Sequence, residues 1–196
     1  MAITVDKKTG ILVGIIAVLA LGIIFLLAGN SGEPMDHSGH GSSSKEESSS
    51  KYSADEIMFA QMMIPHHEQA VTMSELAFTN TTNPEVLALA TAIRDGQAPE
   101  IIQMQAWIGN KTGHDAGSHN MTMGGMLSEE ELETLSSLKD EAFDQLFLTS
   151  MIAHHEGAID MVDMIKNSTN SEVSALAANI VKSQSAEIEA MKALLK

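Results

Sequence analysis

An internal duplication constrains this chain more than any other feature. Phe59, Met63, His66, His67, Glu68, Ala70 and Met73 recur as Phe147, Met151, His154, His155, Glu156, Ala158 and Met161, each 88 positions on. After a one-residue deletion the match resumes. Val86, Ala90, Ile93, Gln97, Glu100, Ile101 and Met104 then pair with Val173, Ala177, Ile180, Gln184, Glu187, Ile188 and Met191. A duplicated unit of this length is one supersecondary element, unable to bury its apolar face except against its copy. Every side chain named above therefore has a mate in the other half, and an approximate two-fold axis should relate the two.

Each unit reads as a helical hairpin. The first helix should begin after Ser53, with Glu56 three residues on completing a capping box, and run to about Phe78. Phe59, Met63, His66, His67, Ala70, Met73 and Ala77 share one face at helical period. Pro65 lies inside this helix and should bend it, because it removes an amide donor and crowds the preceding turn. Asn80 to Asn83 is a turn, Pro84 opens the second helix at its first position, and that helix reaches about Ile108. Pro99 implies another kink. The second unit should start at Ser128, where Glu131 repeats the capping box, with one main helix to about Lys166 and a last helix from about Ser171 to Leu195. Four amphipathic helices in two hairpins predict an all-α four-helix bundle, in which units 53–108 and 128–195 form one domain, 52–196, and residues 53–108 superpose on 141–195.

Upstream, Gly10 to Gly29 is a run without charge, about 30 Å long as a helix and so long enough to span the hydrocarbon layer. Lys7 and Lys8 precede it while Glu33 and Asp36 follow, which predicts residues 1–9 in the cytoplasm, a transmembrane helix at 10–29, and the domain periplasmic or extracellular. A cleaved signal peptide is the competing reading, although the run is long for one and Leu26 to Asn30 is a poor cleavage site. Both export the domain. Residues 30–51, with serine triplets at 42–44 and 48–50, read as a tether with little to bury. It contains His37 and His40 near Met35, a weak soft-metal motif or simply part of a polar linker.

Charge and composition narrow the chemistry. With 26 acidic against 11 basic residues and a net charge of −15, nucleic acid is a poor partner. The absence of cysteine removes disulfides, thiolate metal sites and thiol nucleophiles, while methionine occurs 14 times. Metal ions are then the natural ligands for His66, His67, His154 and His155, with thioethers from Met63, Met73, Met151 and Met161 on the same helices and Met104 and Met191 on their partners. Glu100 and Glu187 recur at core-side positions, where a carboxylate is costly unless paired or bound to metal. The connection between units adds His114, His119, Met121, Met123 and Met126 among glycines, a candidate metal-binding loop. Thioether and imidazole ligands without thiolates favour soft ions, Cu(I) above all and Ag(I) by the same chemistry.

Two rival readings stay open. Methionine in a helix stripe is often core filling, and the His and Glu residues can satisfy one another as buried networks in a structural or interaction module. A ferritin-like metal-dependent oxidoreductase fits the bundle, but carboxylate-bridged centres need Glu-x-x-His. Here Met63, Ile64, Met151 and Ile152 stand three residues before the histidines. No arrangement for nucleophilic catalysis is visible, so a non-enzymatic role is expected.

The paired Met-Ile-Pro-His-His-Glu-Gln-Ala-Val-Thr-Met and Met-Ile-Ala-His-His-Glu-Gly-Ala-Ile-Asp-Met segments, each followed by Gln-x-x-Glu-Ile-x-x-Met, resemble the DUF305 family over about Ser53 to Lys196. That resemblance implies an exported bacterial protein with a ferritin-like helical bundle, and a link to copper binding and resistance. The family pattern falls on His66, His67, His154, His155, Met63, Met73, Met104, Met151, Met161 and Met191, with Met123 and Met126 in the loop. The expected function is binding, sequestration or transfer of copper outside the cytoplasm, with other envelope copper proteins as possible partners.

Overall fold

The computed structural model describes residues 51–109 and 123–195. It consists of α1 (Ala54–Asn80), α2 (Pro84–Ile108), α3 (Glu129–Ser137), α4 (Asp140–Val162), a 3-10 turn (Asp163–Ile165) and α5 (Ser171–Leu194). α1 packs chiefly on α2 and α4 on α5, and the two hairpins meet mainly where α1 crosses α4. No strand is present among the described residues.

The helix starts follow local chemistry. Ser53 Oγ accepts from the Glu56 amide while the Glu56 carboxylate accepts from the Ser53 amide, a closed capping box that Ser128 and Glu131 repeat at α3. Asn83 and Asn170 occupy equivalent places before α2 and α5, each accepting from the amide two residues on. Each such cap contributes about 1 kcal/mol. α1 and α2 continue through Pro65 and Pro99 without interruption.

The expected four-helix bundle is corrected to five α-helices among the described residues. The single helix expected from Ser128 to about Lys166 is broken at Leu138 and Lys139, and Asp140 adopts a left-handed φ of 49°. Ser136 and Ser137 turn their hydroxyls back onto the carbonyls of Glu133 and Thr134, the competing bonds that weaken helix interiors. Asn80, at the end of α1, donates its amide to the carbonyls of Leu135 and Ser136, satisfying the end of α3, while Lys139 Nζ reaches Asn80 Oδ1 at 2.6 Å. The break lets Leu135 enter the core while α4 sets off in the register of the repeat. α3 therefore has no counterpart in the first unit.

The anchor is also corrected. Residues 10–29 lie outside the described residues, and among those described no helix is long and apolar enough to cross a membrane. Every long helix carries charge, as with Asp55, Glu56, Glu68 and Glu75 in α1, and such groups are expensive in hydrocarbon. The transmembrane helix, the membrane as partner and the single-pass, extracytoplasmic location are accordingly unsupported, together with the envelope partners that location implied. The tether, with His37 and His40, likewise lies outside the described residues.

The core divides into two apolar clusters. One gathers Ala70, Met73, Ala90, Ile93, Phe143, Phe147, Met151 and Met191 with their neighbours. The other gathers Phe59, Met63, Met104, Trp107, Ala158, Met161 and Ile180 with theirs. Where the chain reaches α1, Glu172 accepts from Lys51 Nζ at 2.7 Å, Tyr52 Oη at 3.0 Å and Trp107 Nε1 at 3.0 Å, and the Tyr52 and Trp107 rings stack at 5.3 Å. Truncating a ring in the first cluster, Phe147→Ala, should cost about 3–5 kcal/mol, whereas removing a cap with Ser53→Ala should cost about 1 kcal/mol. Urea unfolding of the two variants would measure both, and equal losses would contradict this division between core and cap.

Candidate metal centre

Where α1 crosses α4 the structure places four imidazoles, all at most 1% exposed. The rings of His66 and His154 lie 3.8 Å apart between centroids, inclined at 42°. Each comes from the equivalent position of its repeat unit, so the two copies meet at these mated histidines. His67 and His155 turn outward to the partner helices. His67 Nε2 donates to Glu100 Oε2 at 2.8 Å, and His155 Nε2 donates to Glu187 Oε2 at 2.6 Å. The two glutamates thus orient the imidazoles.

A carboxylate only accepts, so each Nε2 carries a proton, and Nδ1 is the nitrogen of either ring that no carboxylate engages. The Nδ1 atoms of His66, His67 and His155, and both ring nitrogens of His154, are buried without a hydrogen-bond partner. The side-chain amides of Gln97 and Gln184, mates in the repeat, are equally unpartnered. Leaving a polar atom buried and unpaired costs about 1–3 kcal/mol, and such a group calls for a specific explanation. Repetition of the same orphans in both units excludes an isolated packing accident.

Around the imidazoles the methionines sort in a particular way. Met63, Met104 and Met161 belong to one apolar cluster, and Met151, Met191 and Met73 to the other. Each member of one trio is the repeat mate of a member of the other. Each trio draws two thioethers from one hairpin and one from its copy. Sequence periodicity located all six residues on inward faces, but this exchange between hairpins depends on the crossing of α1 and α4.

The loop is only partly described. Met123 packs, half-buried, against the second cluster, and the Met126 amide bonds the Met123 carbonyl at 3.4 Å. His114, His119 and Met121 lie outside the described residues. Gly124 and Gly125 run directly over α4. A Cβ on Gly125 would overlap the Ala153 carbonyl, and one on Gly157 would overlap the carbonyl of Gly124. That Gly124 carbonyl accepts from His66 Nε2 at 3.1 Å. Gln69 holds the same segment, donating to the Leu127 carbonyl at 2.9 Å and accepting from the Leu127 amide at 2.7 Å. None of Gln69, Gly124, Gly125 and Gly157 was singled out by sequence reasoning. The available signal was the mismatch of Gln69 with Gly157 inside an otherwise matched motif.

Burial pushes the His66 imidazole down to about 4, with the charges of His67 and His155 adding to the effect and the Gly124 carbonyl opposing it. His154 is depressed further, first by burial and then by its three imidazole neighbours. Both rings are neutral near pH 7, the form in which imidazole ligates a metal. Among the described residues, no three His, Asp or Glu side chains gather as a metal-binding group.

The description "Domain of unknown function (DUF305)" covers the family that matches residues 56–195. The chain belongs to the DUF305 family. A DUF305 fragment from Deinococcus radiodurans is 33% identical, with a TM-score of 0.66 over 73% of this chain and 96% of that one. A DUF305 protein from Streptomyces coelicolor is 31% identical, with a TM-score of 0.65 over 73% of this chain and 92% of that one. CopM in its Cu(I)-bound form is 33% identical, with a TM-score of 0.60 over 71% of this chain and 94% of that one. CopM structures with Ag and with Cu(II) are similar to this chain as well. No curated protein matches it. The expected relationship to a copper-binding family thus holds.

The depressed imidazoles carry a sign for acid stability. As pH falls below 6.5 the unfolded chain binds a proton at His66 before the folded one does, so stability is lost from about pH 6.5 down to about 4. At 1.36 kcal/mol per unit, His66 alone accounts for at most about 3.5 kcal/mol. Denaturation midpoints of the wild type and His66→Gln between pH 7.5 and 4.5 would test this. The variant's slope should be shallower, and equal slopes would refute the assignment.

Proposed function

We propose that this protein binds monovalent copper or silver in the core of its bundle, through imidazole nitrogens and thioether sulfurs, as a carrier or store and not as a catalyst. The observation that carries the reading is the set of orphaned Nδ1 atoms on four buried imidazoles, the central two of them neutral, flanked by two repeat-related methionine trios. These donors fit the ion by chemistry. Imidazole and thioether ligands are neutral, so they suit a soft monovalent cation, whose single charge needs little compensation in an apolar setting. A divalent ion would leave more uncompensated charge in the same place. CopM, with Cu(I)-, Cu(II)- and Ag-bound forms, supports copper or silver at the level of the family, and the choice of the monovalent ion rests on the donor chemistry.

In this reading His66, His67, His154 and His155 are the nitrogen donors, and Met63, Met73, Met104, Met151, Met161 and Met191 supply sulfur. Glu100 and Glu187 act through the histidines. By accepting from Nε2 they fix the tautomer, raise the basicity of Nδ1 and leave that atom free to ligate, the usual role of a carboxylate behind a ligating histidine. Met123 and Met126, together in sequence with His114, His119 and Met121, would be a second donor group on the connection.

The His–Glu hydrogen bonds also favour a purely structural network, since each pair satisfies one nitrogen and one carboxylate oxygen. Such a network would gain by satisfying Nδ1 too, and it does so in neither unit. Titration of the full chain with Cu(I) against a chromophoric Cu(I) chelator separates the readings. The wild type should hold copper in whole-number stoichiometry. Replacing His66, His67, His154 and His155 together by Gln should weaken binding at least tenfold while circular dichroism keeps its helical form. Wild-type affinity in a folded quadruple variant would leave the structural network as the explanation of the repeats.

A further inference from the structure

The two histidine pairs are mates in sequence but not in environment. His67 and His155 each have a glutamate on Nε2. His66 has the Gly124 carbonyl on Nε2, whereas His154, its counterpart, has a partner on neither nitrogen. The difference traces to a strap, Met123 to Leu127, whose Gly124 and Gly125 lie against α4. Gly157 supplies the space, since a side chain there would collide with the Gly124 backbone. Gln69, at the equivalent position of α1, supplies a two-bond clasp on Leu127. One mutational divergence between the copies, glutamine in one and glycine in the other, therefore accounts for both halves of the contact.

We infer that Gln69 is a positioning residue for the metal centre: by clasping Leu127 it holds the Gly124 carbonyl on His66 Nε2, fixes Nδ1 as that ring's free donor, and makes His66–His67 a tighter ligand pair than His154–His155. This deepens the proposed function and rests on it. The physical basis is tautomer selection. A carbonyl accepts and never donates, so while the strap is seated the His66 proton stays on Nε2. No carbonyl of the strap reaches His154, so the connection sets the tautomer of one ring of the central pair and not of the other. Duplicated sites of equal composition then become a tighter and a weaker site, as a protein that takes up an ion and hands it on requires.

The test uses Gln69→Leu in the full chain, which removes the clasp at similar volume, and Gly157→Ala, which displaces the strap from the opposite helix. Long-range 15N–1H correlation spectra of the metal-free chain report the tautomer directly. His66 should be a single Nε2–H tautomer in the wild type and an exchanging mixture in both variants. Calorimetric titration with Ag(I) should then show the tighter of two binding events weakened by about tenfold, the lower range for loss of a group behind a ligand, with the weaker event unchanged. A merely structural strap would alter the thermal midpoint and leave both readouts as in the wild type. Retention of a pure Nε2–H tautomer at His66 in either folded variant overturns the inference, as does an equal loss at both events. A wild type that binds no Ag(I) would defeat the metal reading and the ranking of the pairs, while the spectra would still decide whether Gln69 sets the tautomer.

Discussion

The crossing of α1 over α4 is most favourable with His66 and His154, the two imidazoles in contact there, uncharged. His66 and His154 lie in ring contact, with His67 and His155 on either side, and two imidazolium ions in that contact would repel in a medium that screens poorly. Burial keeps the central pair neutral, and the glutamates take up one nitrogen of each outer ring. Apolar packing on both sides then supplies the cohesion, through Phe59 and Trp107 in one cluster and Phe143 and Phe147 in the other. Hydrophobic burial thus stabilises a polar centre that leucines would fill more cheaply. That imbalance links the core to a guest with its own affinity for nitrogen and sulfur, since such a guest stabilises the folded state in proportion to its binding.

Much of this was legible in the sequence because duplication leaves a direct trace. The repeat placed the histidines and glutamates at equivalent inward positions, and capping residues such as Ser53 and Asn83 placed the helix starts to within a residue or so. The break before α4 was less visible. Nothing in the apolar period around Leu135 announces it, and the serines at 136 and 137 act through hydroxyl bonds that compete with the helix only in context. The pairing of Met73 with Met151 and Met191 was out of reach for another reason. Periodicity assigns a residue to a face, whereas membership of a trio depends on how two helices cross.

The strap shows the limit of symmetry as a guide. Two copies of a unit suggest two equal sites, yet the chain has only one connection between them, and that connection has to lie on one side. Once it does, the copies experience different surroundings, and substitutions that suit the connection, such as glycine at 157, lose any reason to match their mates. Departures from the repeat inside a well-matched motif are for that reason as informative as the matches themselves.

Glu172 has a mechanical consequence. It sits in the first turn of α5, in the second hairpin, yet it receives Lys51, Tyr52 and Trp107 from the first. Tension applied through the residues ahead of Lys51 would not peel α1 away turn by turn. It would load a three-donor knot on the opposite hairpin, and the two halves would share the pull in shear.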